Sequence, residues 1–250
     1  MRCLKQLCNI ALLQCNSVIV SWGAIELGSK RQLRAMDGHT VNAYEALPQE
    51  EPRGSVVIIQ EIFGVNQHIR EVVDGFANEG YATLAPQIFD RVRRDVELGY
   101  DSDDMAEGLK LAFTQVDRDL VLVDLQAAIE EMGKHGNVGI VGYCYGGLLS
   151  WLSACHLRGL SAAVVYYGGG ISNELSQPPS CPMMMHFGER DSMIPMSDVD
   201  TIKEHVPDAE VYTYPADHGF NCNHRDSYDA ESASLAKQRT LAFLENNVAA

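Results

Sequence analysis

The chain has 250 residues, 46% of them hydrophobic, and its 34 acidic against 19 basic side chains give a formal net charge of -15. Such a length and apolar content suffice for one domain with a full core, and the acidic balance, with no clustered Lys and Arg, argues against nucleic acid as a partner. Seven cysteines at positions 3, 8, 15, 144, 155, 181 and 222 form no C-x-x-C pair and no zinc-like spacing with histidine, which points to a reducing, cytoplasmic setting and away from a disulfide framework.

Residues 1–30 read as an N-terminal extension. Arg2 and Lys5 precede a partly apolar stretch from Leu7 to Ile25, but Asn9, Gln14, Asn16 and Ser17 interrupt it and no A-x-A-like cleavage site follows. A loosely packed segment is preferred over a secretion signal, which would make the protein an exported one, and the run is too broken to span a bilayer. Residues 31–250 form a single domain. Within it, Leu33 to Ala35 and Thr40 to Leu47 form an antiparallel strand pair turned at Asp37-Gly38. Short continuous apolar runs then follow at Ser55–Gln60, Tyr81–Ala85, Asn137–Tyr143, Ala162–Tyr167, Pro182–Phe187 and Ala209–Tyr214, the pattern of parallel strands covered on both faces.

Helices alternate with these runs. Asn66 caps a helix carrying Ile69, Val72, Val73 and Phe76 and ended by Gly80; Asp119 to Met132 is helical and stops at Gly133; Ser197 and Asp200 suggest a capping box; a last helix runs from about Tyr228 to Asn247. The fold class is therefore α/β, a doubly wound, mostly parallel sheet with helices on both faces.

Ligands of such sheets bind beyond the carboxyl ends of the strands, where Glu61, Arg91, Cys144, Asp191 and His218 all fall. Cys144 stands in Gly142-Tyr143-Cys144-Tyr145-Gly146-Gly147, between an apolar strand and an apolar helical pattern, where small residues two before and two after a nucleophile let strand and helix approach. The order Cys144, Asp191, His218 is nucleophile, acid, base: His218 would take the thiol proton and Asp191 would hold the imidazole. Glu189 competes with Asp191 for that role. Cys155 and Cys181 read as small apolar packing. The remaining histidines form no metal-like pair, so neither metal nor cofactor is expected.

The chain resembles the dienelactone hydrolase family, carboxymethylenebutenolidases of the α/β-hydrolase superfamily. The resemblance covers roughly residues 32–247. It rests on Gln60-Glu61-Ile62-Phe63-Gly64-Val65-Asn66, Gly80-Tyr81-Ala82-Thr83-Leu84-Ala85-Pro86, the cysteine elbow, and Asp217-His218-Gly219-Phe220. It implies that Glu61 contacts the resting thiol and moves when substrate binds, that backbone N–H groups of Ile62 and Tyr145 form an oxyanion hole, and that arginines hold a substrate carboxylate. Arg91 matches one of these, with Arg93 and Arg94 close by. The second arginine of the family pattern stands four residues after the histidine, where this chain has Cys222; Arg225, three further on, could reach the same anion. Tyr143 and Tyr145 could line the pocket. The implied activity is opening of a carboxylated lactone or small ester, with a promiscuous esterase or thioesterase, or a non-catalytic ligand-binding relative, as alternatives. The implied partner is a small-molecule substrate, with no membrane partner, and the protein is expected to be a monomer or weak homo-oligomer.

Overall fold

The computed structural model describes residues 27–249. Eight strands, β1 (Ser29–Arg34), β2 (Thr40–Ala46), β3 (Ser55–Ile59), β4 (Ala82–Pro86), β5 (Val138–Tyr143), β6 (Leu160–Tyr166), β7 (Met183–Gly188) and β8 (Glu210–Tyr214), form one sheet in the order β1-β2-β4-β3-β5-β6-β7-β8. β1 pairs antiparallel with β2, and β2 with β4; all other pairs are parallel. Every residue of β3, β4, β5 and β7 is buried, because helices cover these strands and leave no solvent face to alternate with. The architecture is that of an α/β-hydrolase.

Among the described residues six α-helices flank the sheet: α1 (Gln67–Asn78), α2 (Ser102–Lys110), α3 (Arg118–Met132), α4 (Tyr145–His156) and α5 (Met196–His205) between strands, and α6 (Ala230–Asn247) after β8. The Asn66 side chain caps α1 by accepting from the Ile69 N–H, as its sequence position predicts. Asp101, Asp117 and Asp229 cap α2, α3 and α6 in the same manner. The capping box expected at Ser197 and Asp200 does not form. α5 starts two residues earlier than a Ser197 cap would set, behind Pro195, with no side-chain cap, since the fixed φ of proline already suits a helix entry.

The hairpin turn lies at Asp37-Gly38, with Gly38 at φ 88° and the Asp37 carboxylate accepting from the His39 N–H. β1 begins at Ser29, before the apolar signal and within the proposed extension. Of its six residues only Leu33 is buried, so this edge strand carries little hydrophobic pattern, and its charged side chains guard an open sheet edge. The readings made on residues 1–26, including the secretion alternative and Cys3, Cys8 and Cys15, lie outside the described residues. Among the described residues no helix is long and apolar enough to cross a membrane.

Candidate active site

β5 ends at Tyr143 and α4 begins at Tyr145, so Cys144 alone makes the turn, at φ 55° and ψ -116°. A side chain in this region of φ is strained and persists only where its surroundings hold it. Here the Cys144 N–H donates to the Tyr166 carbonyl at 2.9 Å, and its carbonyl accepts from the Gly147 N–H at 2.9 Å. A Cβ at Gly142 would strike the Gly146 carbonyl, and one at Gly146 would strike the Ile59 carbonyl. The two glycines therefore permit the elbow, and the sulfur is presented at the carboxyl end of the sheet.

His218, on the loop after β8, is 8% exposed. Its Nε2 lies 3.1 Å from Cys144 Sγ, and its Nδ1 lies 2.7 Å from Asp191 Oδ2. Asp191 follows β7 and its other oxygen accepts from the Met193 N–H at 2.8 Å. A carboxylate on Nδ1 fixes the proton there, which leaves Nε2 free to take one from sulfur. Burial opposes a charged imidazole, but the Cys144 sulfur and the bond to Asp191 outweigh it and push His218 up to about 10. Burial pushes the thiols of Cys155, Cys181 and Cys222 up to about 12, 11 and 11, the state of unreactive packing cysteines. The Cys222 thiol donates to the Tyr100 hydroxyl at 3.3 Å.

Cys144, His218, Ile62, Tyr145 and Arg225 line one cavity of about 630 Å³. Arg225 Nη1 stands 3.4 Å from Glu61 Oε1, and its guanidinium lies over the rings of Phe63 and Tyr100 at 5.7 and 5.9 Å. Glu61 is buried, with Oε2 lacking any hydrogen-bond partner. The structure thus pairs the thiol with His218 and Glu61 with Arg225, a different arrangement from the Glu61–thiol contact that the resemblance implies.

Two expected substrate contacts fall elsewhere. Arg91 is not in the cavity: its Nε and Nη2 donate to the two oxygens of Asp124 at 2.8 and 2.7 Å, and its Nη1 pairs with Asp37 at 2.7 Å. Asp124 lies on the buried face of α3, and a buried carboxylate requires a paired cation. Arg91 meets that need and ties α3 to the hairpin turn. Tyr143 precedes Cys144 by one residue, and successive strand side chains point to opposite faces. Its buried ring packs on Tyr166 at 4.7 Å and lines a second cavity that contains His68, away from Cys144.

Sequence reasoning missed the outer wall. Met105 and Leu109 of α2, together with Phe113 of the π-helical turn Leu111–Gln115 that extends it, line the cavity, and Phe113 meets Tyr145 edge-on at 5.2 Å. The spacing of 105, 109 and 113, behind the cap Asp101 and the first-turn acids Asp103 and Asp104, is a helical signal that could have found it. Arg118, also in the lining, is held by Glu174 at 2.8 Å.

Comparison with known proteins agrees with this geometry. Residues 41–248 match the model of the dienelactone hydrolase family. The chain is 37% identical over 213 residues to a putative carboxymethylenebutenolidase of Synechocystis sp., covering 77% of this chain and 86% of the relative. It is 34% identical over 223 residues to the carboxymethylenebutenolidase of Pseudomonas putida, covering 85% and 94%. A putative dienelactone hydrolase from Klebsiella pneumoniae superposes with a TM-score of 0.77 at 30% identity, over 86% of this chain and 96% of that one. The chain belongs to the dienelactone hydrolase family.

Proposed function

We propose that this member of the dienelactone hydrolase family opens a small ester or lactone, by preference one bearing a carboxylate, through an acyl-cysteine intermediate on Cys144. The observation that carries this reading is the continuous link from Cys144 Sγ through His218 to Asp191, at 3.1 and 2.7 Å, in the wall of a cavity large enough for a small molecule. The thiol proton passes to His218 Nε2, whose raised value lets it hold that proton at neutral pH, and sulfur attacks the carbonyl carbon as a thiolate. The resulting oxyanion lies near the N–H of Tyr145, which as the first residue of α4 has no intrahelical acceptor, and near the N–H of Ile62 on the loop after β3. Collapse breaks the ester C–O bond, and the departing alkoxide takes its proton from His218; in a lactone it stays tethered to the acyl group. Water then attacks the thioester, its proton passing to His218, and sulfur leaves and recovers a proton.

Arg225 supports the preference for an anion. Its guanidinium reaches the cavity beside the nucleophile, and its carboxylate neighbour Glu61 Oε1 is only 3.4 Å away. A substrate carboxylate arriving at Arg225 competes with Glu61, which fits the substrate-driven movement of Glu61 that the family resemblance implies. The names of the relatives from Synechocystis sp. and Pseudomonas putida point the same way. A second reading, an esterase for neutral esters with a bulky apolar group, is favoured by the Phe63, Leu109, Phe113 and Met193 side chains around the rest of the cavity. Comparing kcat/KM for carboxylated lactones, neutral p-nitrophenyl esters and acyl thioesters separates the two, with mass spectrometry of a slow ester to detect the acyl group on Cys144. Preference for neutral esters would overturn the anion assignment, and an acyl group found on any other residue would overturn the mechanism.

A further inference from the structure

A second cavity of about 430 Å³ shares no lining residue with the one at Cys144 and includes His68, Glu71, Asn223 and Lys237 in its wall. His68 and Glu71 stand three residues apart on α1, hence on one face of the helix. The loop after β8 brings His224 against them. His224 Nε2 is 2.8 Å from Glu71 Oε2, the rings of His68 and His224 lie 5.6 Å apart, and one donor atom from each of the three residues falls within 4.8 Å of the others. Sequence spacing could not show this, because His224 is remote in the chain from both.

His68 supplies an independent observation. It is 3% exposed; its Nδ1 lies 3.2 Å from the Asn223 side-chain oxygen, an acceptor that fixes the ring proton on Nδ1. Nε2 is then a bare lone pair, and it is buried with no partner, an unfavourable state for a polar atom. A ring with one nitrogen held by an oriented acceptor and the other free is prepared as a metal ligand, since ligating histidines donate their second N–H in this way. Lys237, the cation in the same wall, is already engaged by Glu79 at 3.0 Å.

We infer that His68, Glu71 and His224 bind one divalent transition-metal ion of the zinc class, fastening the loop that carries Arg225 onto α1. Two imidazoles and a carboxylate, with a position left for water, form a donor set suited to Zn²⁺ or Co²⁺ and poorly suited to Mg²⁺. The side chains would close in until each donor atom lies about 2.0–2.2 Å from the ion. The net charge of -15 favours cation capture. The site stands whether or not the proposed lactone chemistry is right.

The test uses the full chain, stripped with a chelator and titrated with CoCl₂ under visible absorption and with ZnCl₂ by calorimetry. One equivalent is expected, with the cobalt bands of a nitrogen and oxygen site and without sulfur-to-cobalt charge transfer. Glu71 and His224 are partly exposed, so Glu71→Gln and His224→Ala should fold, as circular dichroism will check, and each should weaken Zn²⁺ by at least about tenfold; Asn223→Ala, which frees the His68 ring, should weaken it by about 10–100-fold. Absence of binding, a thiolate charge-transfer band, or unchanged affinity in both Glu71→Gln and His224→Ala would overturn the site.

Discussion

Arg91→Ala separates a structural arginine from a substrate-binding one. Asp124 is fully buried, and Arg91 meets it with two parallel hydrogen bonds at 2.8 and 2.7 Å, the strongest geometry available to such a pair. Removing one partner of a buried ion pair costs about 3–5 kcal/mol, because the other charge stays buried. Burial already pushes the Asp124 carboxyl above the usual carboxylate range, with Arg91 opposing the shift. Without Arg91 the carboxyl can relieve itself by taking a proton, so the lower figure, about 3 kcal/mol, applies. At roughly 2–4 °C per kcal/mol for a chain of this size, Tm should fall by about 6–12 °C. The sign of the pH dependence follows. A carboxyl whose folded value is raised binds a proton on folding, so the deficit is smallest below the unfolded value near ~4 and grows as pH rises through the folded one. The gap between parent and variant should therefore widen from acid toward neutral pH in thermal melts followed by circular dichroism. Arg91→Met combined with Asp124→Leu leaves no buried charge and should recover most of the loss. An unchanged Tm, with kcat/KM falling for carboxylated lactones and not for neutral esters, would return Arg91 to the substrate.

Cys144→Ala should abolish turnover, by a factor on the order of 10⁴ or more, while the circular dichroism spectrum stays that of the parent, because Gly142 and Gly146 shape the elbow; Cys144→Ser should also be badly impaired, and near-parental activity in the alanine variant would remove Cys144 from the chemistry. Arg225→Ala should lower kcat/KM for carboxylated lactones by about 1.5–3 kcal/mol, or about 10–150-fold, and barely affect neutral esters; equal losses on both would make Arg225 a support for its loop. His218, raised from 6.5 to about 10 in the folded chain, contributes stability that is fully present below pH 6.5 and lost as pH rises through about 10. Cys144→Ala removes two causes of that shift, the sulfur's charge and its hydrogen bond, so plots of Tm against pH for variant and parent should diverge within this window, and parallel curves would contradict the coupling.

The parts of the site legible in the sequence are those fixed by local rules. The glycines flanking Cys144 announce the elbow, and the ends of β7 and β8 set Asp191 and His218 beside it, so strand assignment alone brought the three together. β1 was only half legible because an edge strand with one buried side chain has almost no hydrophobic period. The Arg91 reading failed on a partner distant in the chain. Nothing near Arg91 reveals that Asp124 is buried and in need of a cation. The role given to Tyr143 neglected strand alternation, which turns the residue before Cys144 away from it.

Where the chain departs from the family pattern, its loop still brings one cation, Arg225, to the cavity. Four residues after His218, Cys222 is buried and occupied with Tyr100, so that position supplies no cation. The chain folds back on itself there: the Cys222 N–H donates to the Gly219 carbonyl, the Arg225 N–H to the Cys222 carbonyl, and the Asp229 N–H to the Phe220 carbonyl. Gly219 lies at φ 78°, where side chains are strained, and a Cβ there would collide with the Arg225 guanidinium. The glycine directly after His218 thus has two uses, turning the backbone and clearing the space through which Arg225 reaches Glu61. In this loop the backbone turns decide where a cation stands, and they carry the Arg225 guanidinium to the cavity although Arg225 lies seven residues after His218.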